Sequence, residues 1–432
     1  MQIQSPLVEN YWQNLASRRD LFAGRVRSVS EVFDISIREP GTTTVYGQTA
    51  RSMLETYQLV REFGFTRTQI ASFSFGERYT VQDQFVQQLA ATGDDLSGCF
   101  ASFIIEEAGS ALSRIKRYHI PNVFLDMFIG DIEGSVDLER AWSLATQLVT
   151  VIREVRSILP VPSLRANSRP IGEIFVNLGD FLEQRLRYPE FFEKFLPMLQ
   201  RESIQAICFE EFRGAALPED VFDAAAALRA NFPFNQFKLL AHMHGGNGLE
   251  DAGNLAAVAG GADGVWASMT PTSALAGHGS SLVFLTNLYR YGNRSISDAY
   301  NLKDSNRIVQ KMYSLNYADR EPIPLELPVF GRNAYATNFA AFSQDAPLPG
   351  LLPAAIVGVP RSARFVPLLN TPDCIRSRLL ELNIAPVNDQ MIEKLVDAAH
   401  RHLLDDINAD RDTRVDFNAP EFIRRVLDAP ET

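Results

Sequence analysis

The strongest constraint on this chain is a rhythm. Over about 260 residues, short apolar runs with strand-like alternation are each followed by a segment of helical spacing. Strands are predicted at 32–38, 68–74, 100–105, 121–128, 173–178, 203–209, 237–242 and 264–268. Helices are predicted at 49–63, 81–91, 108–118, 137–159, 188–199, 218–230, 249–258 and 280–291. Eight strand-then-helix units over this span are what an α/β chain forming a (β/α)8 TIM barrel requires. An open dinucleotide-binding sheet is the competing architecture, but no G-x-G-x-x-G follows the first predicted strand. In a barrel the carboxyl ends of all eight strands meet at one mouth. That rule brings Arg38 and Glu39, closing strand one, to the same place as His242 and His244, closing strand seven.

The periodicity changes on both sides of the barrel, which is expected to span 31–293. An N-terminal helical extension is predicted over 1–30, where Tyr11, Trp12, Leu15 and Leu21 fall at roughly helical spacing. A post-barrel linker subdomain is predicted over 294–345, with a helix at 305–314 and a proline-rich extended piece at 322–328. A C-terminal helical subdomain is predicted over 346–432, with helices at 371–382, 389–405 and 419–427.

The stretch Ala241-His242-Met243-His244-Gly245-Gly246-Asn247-Gly248 carries the clearest chemical signal. In an extended chain alternate residues point the same way, so His242 and His244 project together while Met243 faces away. Two imidazoles on one face can grip a divalent cation if a carboxylate or water completes the set. Two surface histidines beside a turn are the plainer reading. Because only 6 histidines occur in 432 residues, their meeting at a strand end favours the metal.

Composition narrows the function classes. The chain is 46% hydrophobic and 22% charged, enough to bury a substantial core. Its net charge of −11 offers no electrostatic footprint for nucleic acid or an anionic membrane. Cys99, Cys208 and Cys374 are far apart with no C-x-x-C pair, which points to a reducing, cytoplasmic setting rather than a disulfide framework or thiolate zinc site. No apolar run reaches transmembrane length.

Several motifs resemble the metal-dependent TIM-barrel acyltransferases and lyases, a family that includes isopropylmalate, homocitrate and citramalate synthases and hydroxymethylglutaryl-CoA lyase. Asp34-Ile35-Ser36-Ile37-Arg38-Glu39-Pro40 resembles the family's opening D-x-T-L-R-D-G. Glu211-Phe212-Arg213-Gly214-Ala215-Ala216-Leu217-Pro218 is similar to D-T-x-G-x-x-x-P, and the histidine stretch to H-x-H-N-D-x-G. Pro328-Val329-Phe330-Gly331-Arg332-Asn333-Ala334-Tyr335 is similar to the P-I-V-G-x-N-A-F that follows the barrel in the synthases. The resemblance covers about 31–430 and points to the synthase branch. It implies a divalent metal (Mg, Mn, Zn or Co) held by Glu39, His242 and His244, chelating the carbonyl and carboxylate of a 2-oxo acid. It also implies that Arg38 steadies the oxygen charge that develops near the transition state, with Asp34 a further catalytic candidate. An ordinary strand-end ion pair is the plainer reading of Arg38 and Glu39.

Departures from the pattern change what can be expected. Glu39 replaces the family's aspartate. Gln69 stands where a glutamate is expected and cannot act as an acid or base. Ser280 replaces an asparagine, with His278 nearby as a compensating polar group or a plain helix-start histidine. With Asn247, these residues form the expected substrate-binding set. The synthases' post-barrel H-E-S-G-I-H corresponds to Thr337-Asn338-Phe339-Ala340-Ala341-Phe342, so neither histidine that helps activate acetyl-CoA is present. Tyr335 or His278 is the candidate replacement. Three readings follow: a synthase condensing an acyl-CoA with a 2-oxo acid, a metal-dependent aldolase, lyase or decarboxylase acting on a 2-oxo acid, and a catalytically silent homologue. In each a homodimer is expected, because the appended helices otherwise expose an apolar face.

Overall fold

In the computed structural model the rhythm closes into a barrel. The structure describes 22–324 except for 28, 30, 43–46, 75–79, 131–134, 233–236 and 272–276; beyond 324 it describes 327, 329–331, 336–337, 354–359, 362–364, 372–409 and 415–429. The helical spacing around Tyr11, Trp12, Leu15 and Leu21 lies outside these residues. Eight strands, β1 (Glu31–Asp34), β2 (Arg67–Ser72), β3 (Cys99–Ile104), β4 (Asn122–Met127), β5 (Ile174–Leu178), β6 (Ala206–Glu211), β7 (Lys238–Met243) and β8 (Gly264–Ala267), pair in parallel. Strand β8 returns to β1 and closes the sheet, with Phe33 opposite Trp266.

Helices α1 (Ala50–Phe63), α2 (Thr80–Ala91), α3 (Ala108–Tyr118), α4 (Leu138–Ile158), α5 (Phe181–Arg187), α6 (Pro189–Leu199), α7 (Pro218–Asn231), α8 (Glu250–Gly260) and α9 (Ser281–Arg290) alternate with the strands. Their ends follow local chemistry. The Thr49 and Ser52 side chains cap α1 reciprocally, and Asp137 caps α4 through the amides of Glu139 and Arg140. Gly64 ends α1 at φ 116°, where a Cβ would stand 2.5 Å from the Ala299 carbonyl oxygen. Helix α5 was not expected from the sequence. Its start depends on Asp180 adopting a left-handed conformation at φ 52°, which spacing alone does not reveal.

Two strand boundaries differ from expectation in ways that matter for the site. Strand β1 ends at Asp34, not at Arg38. The Asp34 carboxylate accepts hydrogen bonds from the Ser36 amide and hydroxyl, and the amides of Arg38 and Glu39 both donate to the Ile35 carbonyl. This local turn outcompetes the ladder and places Arg38 and Glu39 on a bend above the strand. Strand β6 runs two residues past the expected Phe209, to Glu211.

Inside the barrel, Phe33, Ile35, Phe100, Phe124, Phe175, Ala206, Cys208, Leu240 and Trp266 form one apolar plug. Phe33 stacks on Phe124 at 4.9 Å and meets Phe100 edge-on at 4.8 Å, so aromatic rings fill the centre that smaller side chains would leave loose. Below the plug, at the amino ends of the strands, lies a charged network. Arg67 donates to both oxygens of Glu173 (2.8 Å each) and to Glu31 (2.8 Å), and Lys238 donates to the other Glu31 oxygen (2.7 Å). Burial works against the Glu31 charge, yet Arg67 and Lys238 hold its carboxyl below the usual range.

The chain divides into two compact units, Met1–Pro322 and Ile323–Thr432. The first includes helices α10 (Ile296–Ala299) and α11 (Ser305–Tyr317); Tyr300 packs on Phe63 and Phe65, and Asn301 donates to the Phe63 carbonyl. In the second, helices α12 (Pro372–Glu381), α13 (Asp389–Asn408) and α14 (Pro420–Asp428) surround Cys374, Ile375, Leu379, Leu395 and Ile423. Among the described residues no helix is long and apolar enough to cross a membrane.

Candidate metal centre

The two-residue period of a strand predicts what lies above the plug. Phe100, Phe124, Phe175, Cys208 and Leu240 all face inward, so the residues two positions later must face inward too, one layer nearer the mouth. Those residues are Ser102, Asp126, Asn177, Glu210 and His242. Every one is polar and every one is buried. Five consecutive strands thus contribute one inward polar side chain each on the mouth side of the plug. Adjacent pairs sit in direct register, Asp126 beside Asn177 and Glu210 beside His242.

The ring converges on Glu210, His242 and His244, whose potential ligand atoms all lie within 4.8 Å of one another. His242 Nδ1 is 2.7 Å from the Trp266 carbonyl oxygen. A carbonyl only accepts, so Nδ1 carries the proton and Nε2 keeps its lone pair. His244 Nε2 lies 2.8 Å from Glu210 Oε1, and Asn177 donates to Glu210 Oε2 at 2.6 Å. Two imidazoles and a carboxylate, with one tautomer set by a backbone carbonyl, are the donor set and outer support that divalent transition metals use. The residues present fit a divalent cation.

Electrostatics agree with that fit. Burial, reinforced by the neighbouring His244 and His278, pushes His242 well below its ordinary value, so the ring stays neutral. Burial pulls His244 the same way, but hydrogen bonding to Glu210 and its charge raise it overall, with further help from Glu39. Burial works most strongly against the Glu210 charge, but the hydrogen bond and charge of His244, with His242 and Asn177, together hold its carboxyl below the usual range. Asp126 behaves oppositely: burial, and then the Glu210 charge, raise it to about 8.

Unpartnered atoms gather around this group. Gln69 Oε1, Asp126 Oδ1, Asn177 Oδ1, Arg38 Nε, Trp266 Nε1 and both ring nitrogens of His278 are buried without a hydrogen-bond partner among the described residues. Buried polar atoms are rarely left so, and a cluster of them marks a place shaped for something other than the fold itself.

The other expected site residues distribute as follows. Arg38 pairs with Glu39, and the Glu39 charge reaches both His244 and Asp126, so both residues overlook the centre from the bend after β1. The compact donor group contains Glu210 as its carboxylate, where Glu39 was expected. Asp34 accepts from Ser36 and from Thr68 on β2, and burial raises it to about 6. Gln69 donates to Ser102 at 2.6 Å within the polar ring. Asn247 is exposed, and its backbone amide donates to Gly214. The Ser280 hydroxyl caps α9 and donates to the Met269 carbonyl. Tyr335 lies outside the described residues.

Glu210, Asp126 and Asn177 were missed by sequence reasoning, although a signal for them exists. Each is a single polar residue near the carboxyl end of an otherwise apolar strand, in step with the interior positions before it.

No protein-family model matches this sequence, and no curated protein does. Among solved structures, an HMG-CoA lyase from Bacillus subtilis is similar at a TM-score of 0.49 and 17% identity, over 71% of this chain and 97% of that one. A hydroxymethylglutaryl-CoA lyase from Pseudomonas aeruginosa is similar at 0.49 and 11%, over 67% and 93%. The carboxyl transferase domain from Rhizobium etli pyruvate carboxylase, with oxamate and biotin, is similar at 0.46 and 14%, over 71% of this chain and 51% of that one.

Proposed function

We propose that the chain is a metal-dependent lyase that cleaves or forms the bond between the carbons α and β to the carbonyl of a 2-oxo acid. The observation that carries this reading is the convergence of Glu210, His242 and His244 at the barrel mouth, ringed by unpartnered buried polar atoms. A divalent cation bound there supplies Lewis acidity to the adjacent carbonyl and carboxylate oxygens of such a substrate. Asn177 orients Glu210, and the Trp266 carbonyl keeps the His242 lone pair directed away from Nδ1.

The remaining roles fall to groups beside the centre. The charge of Arg38 acts on both Asp126 and His278, so the guanidinium stands where it can offset negative charge developing on the carbonyl oxygen. Asp126, raised to about 8, is poised to exchange a proton near neutral pH. In the cleavage direction the ionised form of Asp126, whose share grows as pH approaches 8, takes the proton of a hydroxyl on the far carbon. The bond between that carbon and its neighbour breaks, and the electron pair moves toward the carbonyl. An aldehyde or ketone leaves, and a proton returns to the shortened 2-oxo acid, so no further reactant is needed.

Condensation of an acyl-CoA with a 2-oxo acid, as in the isopropylmalate and homocitrate synthases, is the second reading. The stretch 328–335 favours it through its likeness to the synthases' post-barrel motif. One experiment separates them: purified protein is assayed for metal content, then for turnover of hydroxylated 2-oxo acids and for thiol release from acyl-CoAs. Near-stoichiometric divalent metal with CoA-independent cleavage supports the lyase. Metal with acyl-CoA-dependent thiol release supports the synthase. A protein that takes up no Mg²⁺, Mn²⁺, Zn²⁺ or Co²⁺ refutes both.

A further inference from the structure

We propose that His278 is a further ligand of the ion, which makes the centre a three-imidazole, one-carboxylate site selective for nitrogen-preferring transition metals over Mg²⁺. This inference rests on the metal reading above and adds a residue and a metal class to it.

The first observation is chemical. His278 is 1% exposed, yet among the described residues neither ring nitrogen meets hydrogen-bond geometry, the nearest polar groups being the backbone at Gly279 and at His278 itself. A histidine buried for packing alone still needs a partner for at least one N–H, since an unmatched buried donor costs about 1–3 kcal/mol. His242, in the same layer, meets that need through the Trp266 carbonyl. His278 has only poorly aligned backbone groups beside it, and a ligand that accepts its lone pair is the better counterpart.

The second observation is spatial. Ring centroids lie 4.7 Å apart for His242 and His244, 5.0 Å for His242 and His278, and 6.0 Å for His244 and His278. Imidazoles sharing one ion place their centroids roughly 4.5–6 Å apart, because each metal–nitrogen bond is about 2.1 Å and the ring centre lies about 1.2 Å beyond. All three separations meet that requirement, while the His278 nitrogens in their present rotamer lie outside the 4.8 Å donor group of Glu210, His242 and His244.

The backbone supports it too. The Gly245 amide donates to the Gly277 carbonyl at 2.6 Å, and the Gly279 amide donates to the Met243 carbonyl at 3.0 Å. These bonds flank His278 on both sides and tie its main chain to the end of β7, beside His244. No well-formed hydrogen bond among the described residues fixes the ring, so side-chain rotation can turn a nitrogen toward Glu210, His242 and His244.

Donor type then sets the metal. Mg²⁺ demands oxygen ligands and retains its waters, whereas imidazole-rich sites suit zinc, cobalt, iron, nickel and copper. The test titrates the full chain and its His278→Ala variant with Co²⁺, followed by visible absorption, and with Zn²⁺ and Mg²⁺, followed by calorimetry. The expected result is that His278→Ala weakens Co²⁺ and Zn²⁺ by at least about tenfold and alters the cobalt spectrum, while Mg²⁺ stays weak in both proteins. Equal cobalt affinity and an unchanged spectrum would overturn the proposal while leaving the three-residue centre intact. Tighter Mg²⁺ than Zn²⁺ binding in the parent would overturn it as well. If His278→Ala does not fold, X-ray absorption on the zinc-loaded parent decides: three imidazoles in the shell support the assignment and two overturn it. A parent that binds none of these ions removes the metal reading itself.

Discussion

The two ends of the barrel hold comparable buried charge and use it differently. At the amino ends Arg67, Glu173, Glu31 and Lys238 form a network in which each charge meets an opposite one at 2.7–2.8 Å. At the carboxyl ends Glu210, His242, His244, Asp126 and Arg38 are as deeply placed, but donor and acceptor atoms are left over. A buried network that satisfies itself closes the end of the plug. One that falls short by several atoms is completed only by a ligand. The difference lies in partnering, not in polarity or burial.

That contrast can be broken at four points. The largest effect is expected at the closed end. Arg67→Met leaves Glu173 without its cation and Glu31 with Lys238 alone, so denaturant unfolding should show a loss of roughly 3–5 kcal/mol. A loss below about 1 kcal/mol would mean that this network is as dispensable as a surface ion pair.

Glu210→Gln tests the open end. It preserves volume and one hydrogen-bonding oxygen but removes the charge, and divalent affinity should fall about a hundredfold, about 2.7 kcal/mol. Unchanged affinity by calorimetry would return the carboxylate role to Glu39.

The third test uses pH, with a chelator present. Asp126 is raised to about 8 from an ordinary 3.8, so between those values the native state holds a proton that the unfolded chain has released. The Asp126 contribution to stability is therefore full below pH 4, falls as pH rises toward 8 by up to about 1.4 kcal/mol per unit, and levels above. Asp126→Asn should flatten that slope in urea titrations at stepped pH. A slope unaffected by the substitution would show that Asp126 is ionised in the fold at neutral pH.

The smallest effect concerns Ser280, which lies near the mouth but is partnered like the closed end. Ser280→Ala should cost about 1 kcal/mol through the lost α9 cap and leave metal binding unchanged. A drop in metal affinity would bring Ser280 into the centre and blur the division between the two ends.

The architecture was legible because strand and helix periods are local, and a parallel strand buried on both faces reads as an apolar run. Helix α4, expected over 137–159, differs only in that Asp137 and Leu159 are its caps. His242 and His244 were legible for the same reason, two positions of one strand being neighbours in sequence and in space. Glu210 was not. The expected end of its strand at Phe209 hid the inward step from Cys208, and its meeting with His244 depends on cross-strand register. Glu39 was expected on a strand and stands on a turn, because the Asp34 side chain competes with the ladder through Ser36. His278 showed only as a compensating group. That its nitrogens lack well-formed partners among the described residues is a property of the packed mouth, invisible until each neighbour has been placed.

The hydrogen bond from His242 to the Trp266 carbonyl has a further consequence. The pairing of β7 with β8 spans two register positions, Leu240 with Gly264 and Ala241 with Val265, against six between β6 and β7. Where that short seam ends, the next carbonyl of β8 is taken by the imidazole. The side chain that presents a lone pair to the centre is also a stitch in the wall. Amide protons of β8 should therefore exchange with solvent among the fastest in the barrel, and slow when His242 is held from its other nitrogen, so that the seam reports on what the mouth contains.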